Sequence, residues 1–431
     1  MIDTESGIDA LDVNVKRQAL ALNVLRIATF LYVFALPFNH NAAIKNLALL
    51  GVLIGLVLAR GVRLDWRSPV VLALLAILGT ALFSTLLGTA VLEDLNAYRK
   101  HFLPPLLIFL AVFLAFSDMR WLRMLLLIML AAFSVRAGFA LYEALTSSRD
   151  MGWAWKGFSL EAAMYIPLAV GGLMVMRRSA RWSAAVVVAL GIAAVLAIES
   201  RTTLVAVLSS ALVIWMVRGQ WRGMLVFLLC FGLIAGSVLA LKPKLVERYS
   251  SIFSSHTYQG AEALSNRAAI WRGVWEVAAD RPVIGHGFGW KKLGRTAVGN
   301  GHVARWKQQT DAESQFAAWY FSLPSDKVNP HNLGLELLFE TGWLGLLVYL
   351  GAVLTLIWQS VRLVFISSPE WQPVGAMVVG FWTGYLIMNF GNSLWLGSGP
   401  SAIVLGILAV LWDKARIGED SISTQAGIKA A

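Results

Sequence analysis

The chain has 431 residues, 58% hydrophobic and only 14% charged, with a mean hydropathy of +0.67. Soluble domains carry about 25% charged residues, so a soluble globular protein is excluded. The net charge of +11 is largely spent in short connections between apolar runs, where basic residues set membrane orientation, and no nucleic-acid partner is implied.

Residues 1–17 are polar and of mixed charge, and no cleavable signal peptide is recognisable. Apolar runs long enough to cross a bilayer follow near 18–38, 43–59, 68–88, 103–117, 121–145, 158–176, 182–199, 201–217 and 223–241. Three more lie near 334–360, 373–392 and 398–412. The run at 103–117 is short, and Pro104 and Pro105 are expected to cap its start. The expected fold is an all-α polytopic membrane protein of about twelve spans. Helices 1–9 fall in 18–241, a large external segment in 242–332, helices 10–12 in 333–412 and a tail in 413–431. Cys230 is the only cysteine, so no disulfide framework is possible.

One alternate set of short segments holds fifteen Lys and Arg, from Lys16 and Arg17 to Lys414 and Arg416, and the other set holds six. The richer side is expected to be cytoplasmic, with both termini on it. Residues 242–332 then lie on the far side. They carry 12 Lys+Arg, 7 Asp+Glu and four of the six histidines: His256, His286, His302 and His331. A connection this long suggests function. Within it "SNRAAIWRGVWEVAAD" reads as a helix, starting at Ser265/Asn266 and stopped by Pro282. The following "GHGFGW" reads as a tight turn, with phosphate binding the weaker reading.

Charges within spans are costly and point to function by default. Arg26 has a structural reading, as partner to a carbonyl or carboxylate. Arg136, with Glu143 nearly two turns on, is open between structure and function. Arg201, in "ESRTTL" at the outer end of its span, suits an anionic headgroup, because a guanidinium presents a fork of donors. Arg267 opens the external helix, where its charge would add to the positive field of a helix N-terminus.

His331 follows an Asn-Pro turn and opens an apolar helix. It suits a general base, since its ordinary pKa lies near neutrality, or else a histidine satisfied by local backbone. Glu336 and Glu340, one turn apart, orient His331, bind a sugar hydroxyl or pack on polar neighbours. Metal ligation has little support, because no HxxxH, HxxE or DxD pair lies nearby. Trp271, Trp275, Trp290, Trp306, Trp319 and Tyr320 read as interfacial belt residues or as platforms for sugar rings.

"HNLGLELLFETGWLG" reads as His-Asn, nine residues, then Gly-x-x-Gly. It resembles the signature of bacterial O-antigen ligases, within the superfamily that also holds O-antigen polymerases and protein O-oligosaccharyltransferases. Arg267, Trp271, Pro282, Gly285 and Gly287 resemble that superfamily's Arg-led helix and Pro-x-x-Gly-x-Gly turn, and Arg201 its arginine at a span entrance. The motifs cover about 199–345.

The resemblance implies a multi-pass protein of the bacterial inner membrane, with its active site in the periplasm. It implies a glycan donor on undecaprenyl diphosphate, a lipid A–core acceptor and contact with membrane lipids. No cofactor and no divalent metal are implied. His331 would be the base, Arg201 and Arg267 would hold the diphosphate, and Arg136 is a further donor-binding candidate. Asn332 and Glu336 would support them. A polymerase using the same donor is the alternative, and a transporter of polyisoprenyl-linked sugars a further one. The roughly 19 residues after the last span argue against a protein O-oligosaccharyltransferase.

Overall fold

In the computed structural model, residues 4–38, 41–59, 65–146, 157–243, 246, 262–396 and 399–430 are described. The first nine helices are α1 (Thr4–Ala35), α2 (Ala42–Leu58), α3 (Pro69–Leu86), α4 (Val91–Ala115), α5 (Met119–Thr146), α6 (Phe158–Val175), α7 (Arg178–Ala197), α8 (Arg201–Val217) and α9 (Trp221–Leu241). Four shorter ones follow: α10 (Glu262–Ala278), α11 (Leu293–Gly299), α12 (His302–Gln308) and α13 (Ala312–Phe321). The chain then returns through α14 (Leu333–Ile366), α15 (Gln372–Gly391) and α16 (Gly399–Ala430). Among the described residues there is no strand, and nine helices are long and apolar enough to cross a membrane. Two further apolar helices, α2 and α8, are 17 residues long. The protein is an all-α polytopic membrane protein.

Every expected apolar run is helical, with three differences at the edges. α1 and α16 run on into the polar stretches at 1–17 and 413–431. α4 begins at Val91, so Pro104 and Pro105 lie inside it instead of capping it. The prolines leave the carbonyls of Lys100 and His101 without their helical donors. The first half of α4 stays helical because the external layer grips it: Lys292 pairs with buried Asp94, and Arg295 Nη2 lies 2.6 Å from Glu93 Oε1.

α6 and α15 are the most enclosed spans, while α9 packs lightly and shows most of its surface. In a bilayer no hydrophobic force drives helices together, so close approach relies on small residues. Gly384 of α15 is one such contact: a β-carbon there would lie 2.5 Å from the Ala163 carbonyl oxygen of α6.

The short helices form a layer with its own apolar core. Val274 and Val277 of α10, Leu293, Trp306 and Phe321 pack onto Leu338 and Phe339 of α14. Polar contacts stitch the layer: His302 Nε2 lies 2.7 Å from Asp280 Oδ2, and Glu276 Oε2 accepts from Arg305 at 2.6 Å and from Trp306 Nε1 at 2.8 Å.

α14 breaks at Gly342, which has φ 63° and ψ −168°. A broken helix exposes peptide groups, and at membrane depth each costs several kcal/mol unless protein buries and satisfies it. The glycine turn after α10 does so. His286 and Gly287 donate their N–H groups to the carbonyls of Phe339 and Glu340 at 2.8 and 3.0 Å. Trp343 and Leu344 donate to Pro282 and Val283 at 2.7 and 3.1 Å. The approach needs glycine on both sides: a β-carbon on Gly342 would meet the Val283 carbonyl at 2.4 Å, and one on Gly285 the Glu340 carbonyl at 2.5 Å. The N–H groups of His286, Gly287 and Gly289 are thus spent on α14, which favours the plain-turn reading of "GHGFGW".

Candidate active site

The described external histidines divide sharply. His286 places Nε2 3.0 Å from the Val277 carbonyl and stacks on Phe339, and His302 is held by Asp280. Both hold the scaffold together. His256 lies outside the described residues. The half-buried ring of His331 has no hydrogen bond among the described residues.

His331 is instead held through its backbone. Its φ is 51°, in the left-handed region that side chains seldom adopt. Its N–H donates to Asn329 Oδ1 at 2.7 Å, and the Tyr320 hydroxyl bonds the N–H and the carbonyl of Asn329, both at 2.9 Å. Asn332 caps α14, its Oδ1 accepting from the Leu335 N–H at 3.1 Å, while its Nδ2 donates to the Phe390 carbonyl at 3.0 Å. The histidine is therefore fixed between the external layer and the end of α15. Only one other described non-glycine residue has a positive φ: Glu199, at 64°, two residues before Arg201. Such conformations cost about 1–3 kcal/mol and concentrate at functional sites.

Arg267 reaches the same place. Its Nη1 lies 2.8 Å from where a β-carbon on Gly391 would stand, and the γ-methyl of Thr202, next to Arg201, lies 3.9 Å from that point. One turn along α10, Trp271 packs edge-on against Phe390 at 5.8 Å. Burial, and then the nearby Arg267 charge, lower the His331 pKa below the ordinary histidine value, which favours the neutral, proton-accepting ring. α10 starts at Glu262, earlier than Ser265/Asn266. Arg267 consequently lies in its second turn, and its charge acts by proximity to His331 more than by reinforcing a helix end.

The remaining candidates separate. Glu336 and Glu340 are buried and neither touches the His331 ring. Glu336 Oε1 accepts from Trp395 Nε1 at 3.0 Å, and Glu340 Oε1 from the Gly289 N–H at 2.8 Å. Arg136 is wholly buried, and its Nε lies 3.3 Å from Glu161 Oε2. Its acidic partner in this contact is Glu161 and not Glu143. Glu161 escaped the sequence reading, although it is the only acid in its apolar run. Arg26 follows its structural reading: Nε donates to the Ala115 carbonyl at 3.0 Å and the guanidinium lies over Trp121. Of the aromatics, Trp306 is core and Tyr320 a scaffold group, while Trp271 stands beside Arg267.

Residues 184–350 match the family model described as O-antigen ligase, a stretch that holds Arg201, Arg267 and His331 and excludes Arg136. The match supports a place in the O-antigen ligase and polymerase superfamily. It likewise supports a glycosyltransferase activity of the ligase or polymerase kind, a family whose substrates are lipid-linked glycans. No curated protein matches the chain.

Proposed function

We propose that this protein is an O-antigen ligase of the bacterial inner membrane. It transfers a glycan from undecaprenyl diphosphate to a sugar hydroxyl of lipid A–core on the periplasmic side. In this reading 242–332 is the periplasmic segment and both termini are cytoplasmic. The observation that carries it is a backbone-locked His331, its ring without a hydrogen bond among the described residues, beside the end of α15 that Arg267 also reaches.

The acceptor oxygen attacks the anomeric carbon as the bond from that carbon to the diphosphate oxygen breaks. His331 takes the hydroxyl proton. The electron pair leaves with the lipid diphosphate, whose growing charge Arg201 and Arg267 stabilise. A single displacement inverts the anomeric carbon. Asn332 holds His331 in register. Fixed guanidinium groups supply positive charge to the leaving group, and the sequence near His331 lacks ligand pairs at metal-binding spacing.

The test is transfer by the purified protein from lipid-diphosphate glycan, offered lipid A–core or a second donor molecule, with and without EDTA. Glycosylated lipid A–core at an undiminished rate in EDTA is expected. Elongated donor alone would make the protein a polymerase. A rate lost in EDTA and restored by Mg²⁺ would overturn metal independence.

A further inference from the structure

Along α14, one turn beyond the Asn332 cap, lies a cavity of about 470 Å³, within the ~300–1,000 Å³ range of small-molecule sites. The first half of α4, the 288–291 turn, α14 and the 393–395 segment enclose it. Its wall holds the Glu336 and Glu340 carboxyls, each with side-chain exposure near zero. Each uses one oxygen on the scaffold, on Trp395 or Gly289, and the other, Oε2, has no partner at hydrogen-bonding geometry among the described residues, although Ser393 stands near Glu336 and the Trp290 backbone near Glu340. Nε2 of His101, also in the wall, is buried without a partner. Burying such groups unsatisfied is costly, and three of them around one cavity mark a site built for hydrogen-bonding groups.

The rest of the lining narrows the ligand. Phe288 and Trp395 face each other edge-on at 5.2 Å, Trp290 stands half-buried beside them, and Lys100 and Lys291 are exposed. A sugar ring has the matching chemistry: hydroxyl donors for carboxyl oxygens, a C–H face for aromatic rings and oxygens for ammonium groups. Glu336 lies four residues after the Asn332 cap, about 6 Å along the axis at ~1.5 Å per residue, so a ring here adjoins the reacting centre.

We propose that this cavity is a sugar subsite, in which Glu336 and Glu340 accept hydroxyl hydrogen bonds from a glycan residue next to the reacting one. The assignment deepens the glycosyl-transfer reading and rests on it. The hydroxyls belong either to the acceptor oligosaccharide or to the donor glycan.

The test uses the full-length protein in nanodiscs and two lipid-free probes: oligosaccharide released from lipopolysaccharide core, and glycan hydrolysed from its lipid diphosphate. Binding is read by saturation-transfer NMR and titration for wild type, Glu340→Gln, Trp290→Ala and His331→Ala. Glutamine keeps the oxygen that accepts from Gly289 but replaces the free acceptor by a donor. Binding of one probe should weaken about tenfold or more in Glu340→Gln and in Trp290→Ala, with lipid-diphosphate affinity unchanged, and the weakened probe names the source. His331→Ala should bind that probe normally. Neither probe binding to wild type, or both variants binding as wild type, would overturn the subsite. A variant that no longer elutes as a monodisperse protein is replaced by Lys291→Ala, read against the same two outcomes. A transferring His331→Ala would sink the base assignment and leave the subsite standing.

Discussion

The mouth of α14 and the interior pair Arg136–Glu161 treat charge in opposite ways. At the mouth, the His331 ring has no hydrogen bond among the described residues, while its backbone is tied down by Asn329 and Tyr320. In the interior, Arg136 is wholly buried and spends its Nε on Glu161. Both cost stability, the first as backbone strain and the second as desolvation. Only at the mouth is the functional group itself left available. A charge in a span is therefore not enough to identify a catalytic residue; what it is already bonded to decides.

The sharpest way to break this contrast is His331→Ala. Transfer by the purified variant should fall about 10²–10⁴-fold, with donor affinity and thermal midpoint near wild type. Transfer above about a tenth of normal would remove the base. Loss of donor binding would move His331 to diphosphate recognition.

Arg136→Met should show the reverse. It strands Glu161 and should destabilise the fold by about 3–5 kcal/mol, while Arg136→Met with Glu161→Leu should recover much of the loss. Denaturation of the three proteins in one detergent reads this. A single variant as stable as wild type but inactive would put Arg136 back at the donor.

Gly391→Ala tests the mouth more gently. Its methyl would stand 2.8 Å from Arg267 Nη1, and a long side chain can swing aside. Donor KM should rise several-fold with little change in stability, by the ~1.4 kcal/mol-per-decade scale of a weakened charged contact. An unchanged KM would separate Arg267 from the diphosphate.

The smallest expected effect is on pH dependence. Burial and Arg267 lower the His331 pKa, so the neutral base persists to lower pH than an ordinary histidine allows. The acid limb of kcat/KM should lie below the ordinary histidine range. Removing the charge with Arg267→Gln raises that pKa, and the limb of the residual activity should move to higher pH. A limb that stays in place would mean that the two groups do not interact.

The apolar runs were legible because lipid demands them, and nine of the twelve needed only hydropathy to place. α4 was misread because Pro104 and Pro105 signal a boundary locally, while the ion pairs that hold the helix through them join Asp94 and Glu93 to residues about 200 positions away. Arg201, Arg267 and His331 were legible one at a time, as ionisable groups at span ends. The approach of Arg267 and of Thr202, next to Arg201, to Gly391 was not, since it depends on how α8, α10 and α15 pack. The unpartnered oxygens of Glu336 and Glu340 were equally hidden, because a carboxylate's free lone pairs are a property of its surroundings.

The zipped break in α14 bears on how the protein is made. Synthesis proceeds from the N-terminus, so Pro282–Gly287 is made before Gly342 and, in the proposed topology, is already across the membrane when the span arrives. The exposed carbonyls of Phe339 and Glu340 meet their donors on insertion instead of waiting in lipid. Reversing that order, with the turn encoded downstream of the span, would leave a half-formed helix in the bilayer during translation and expose it to quality-control proteases.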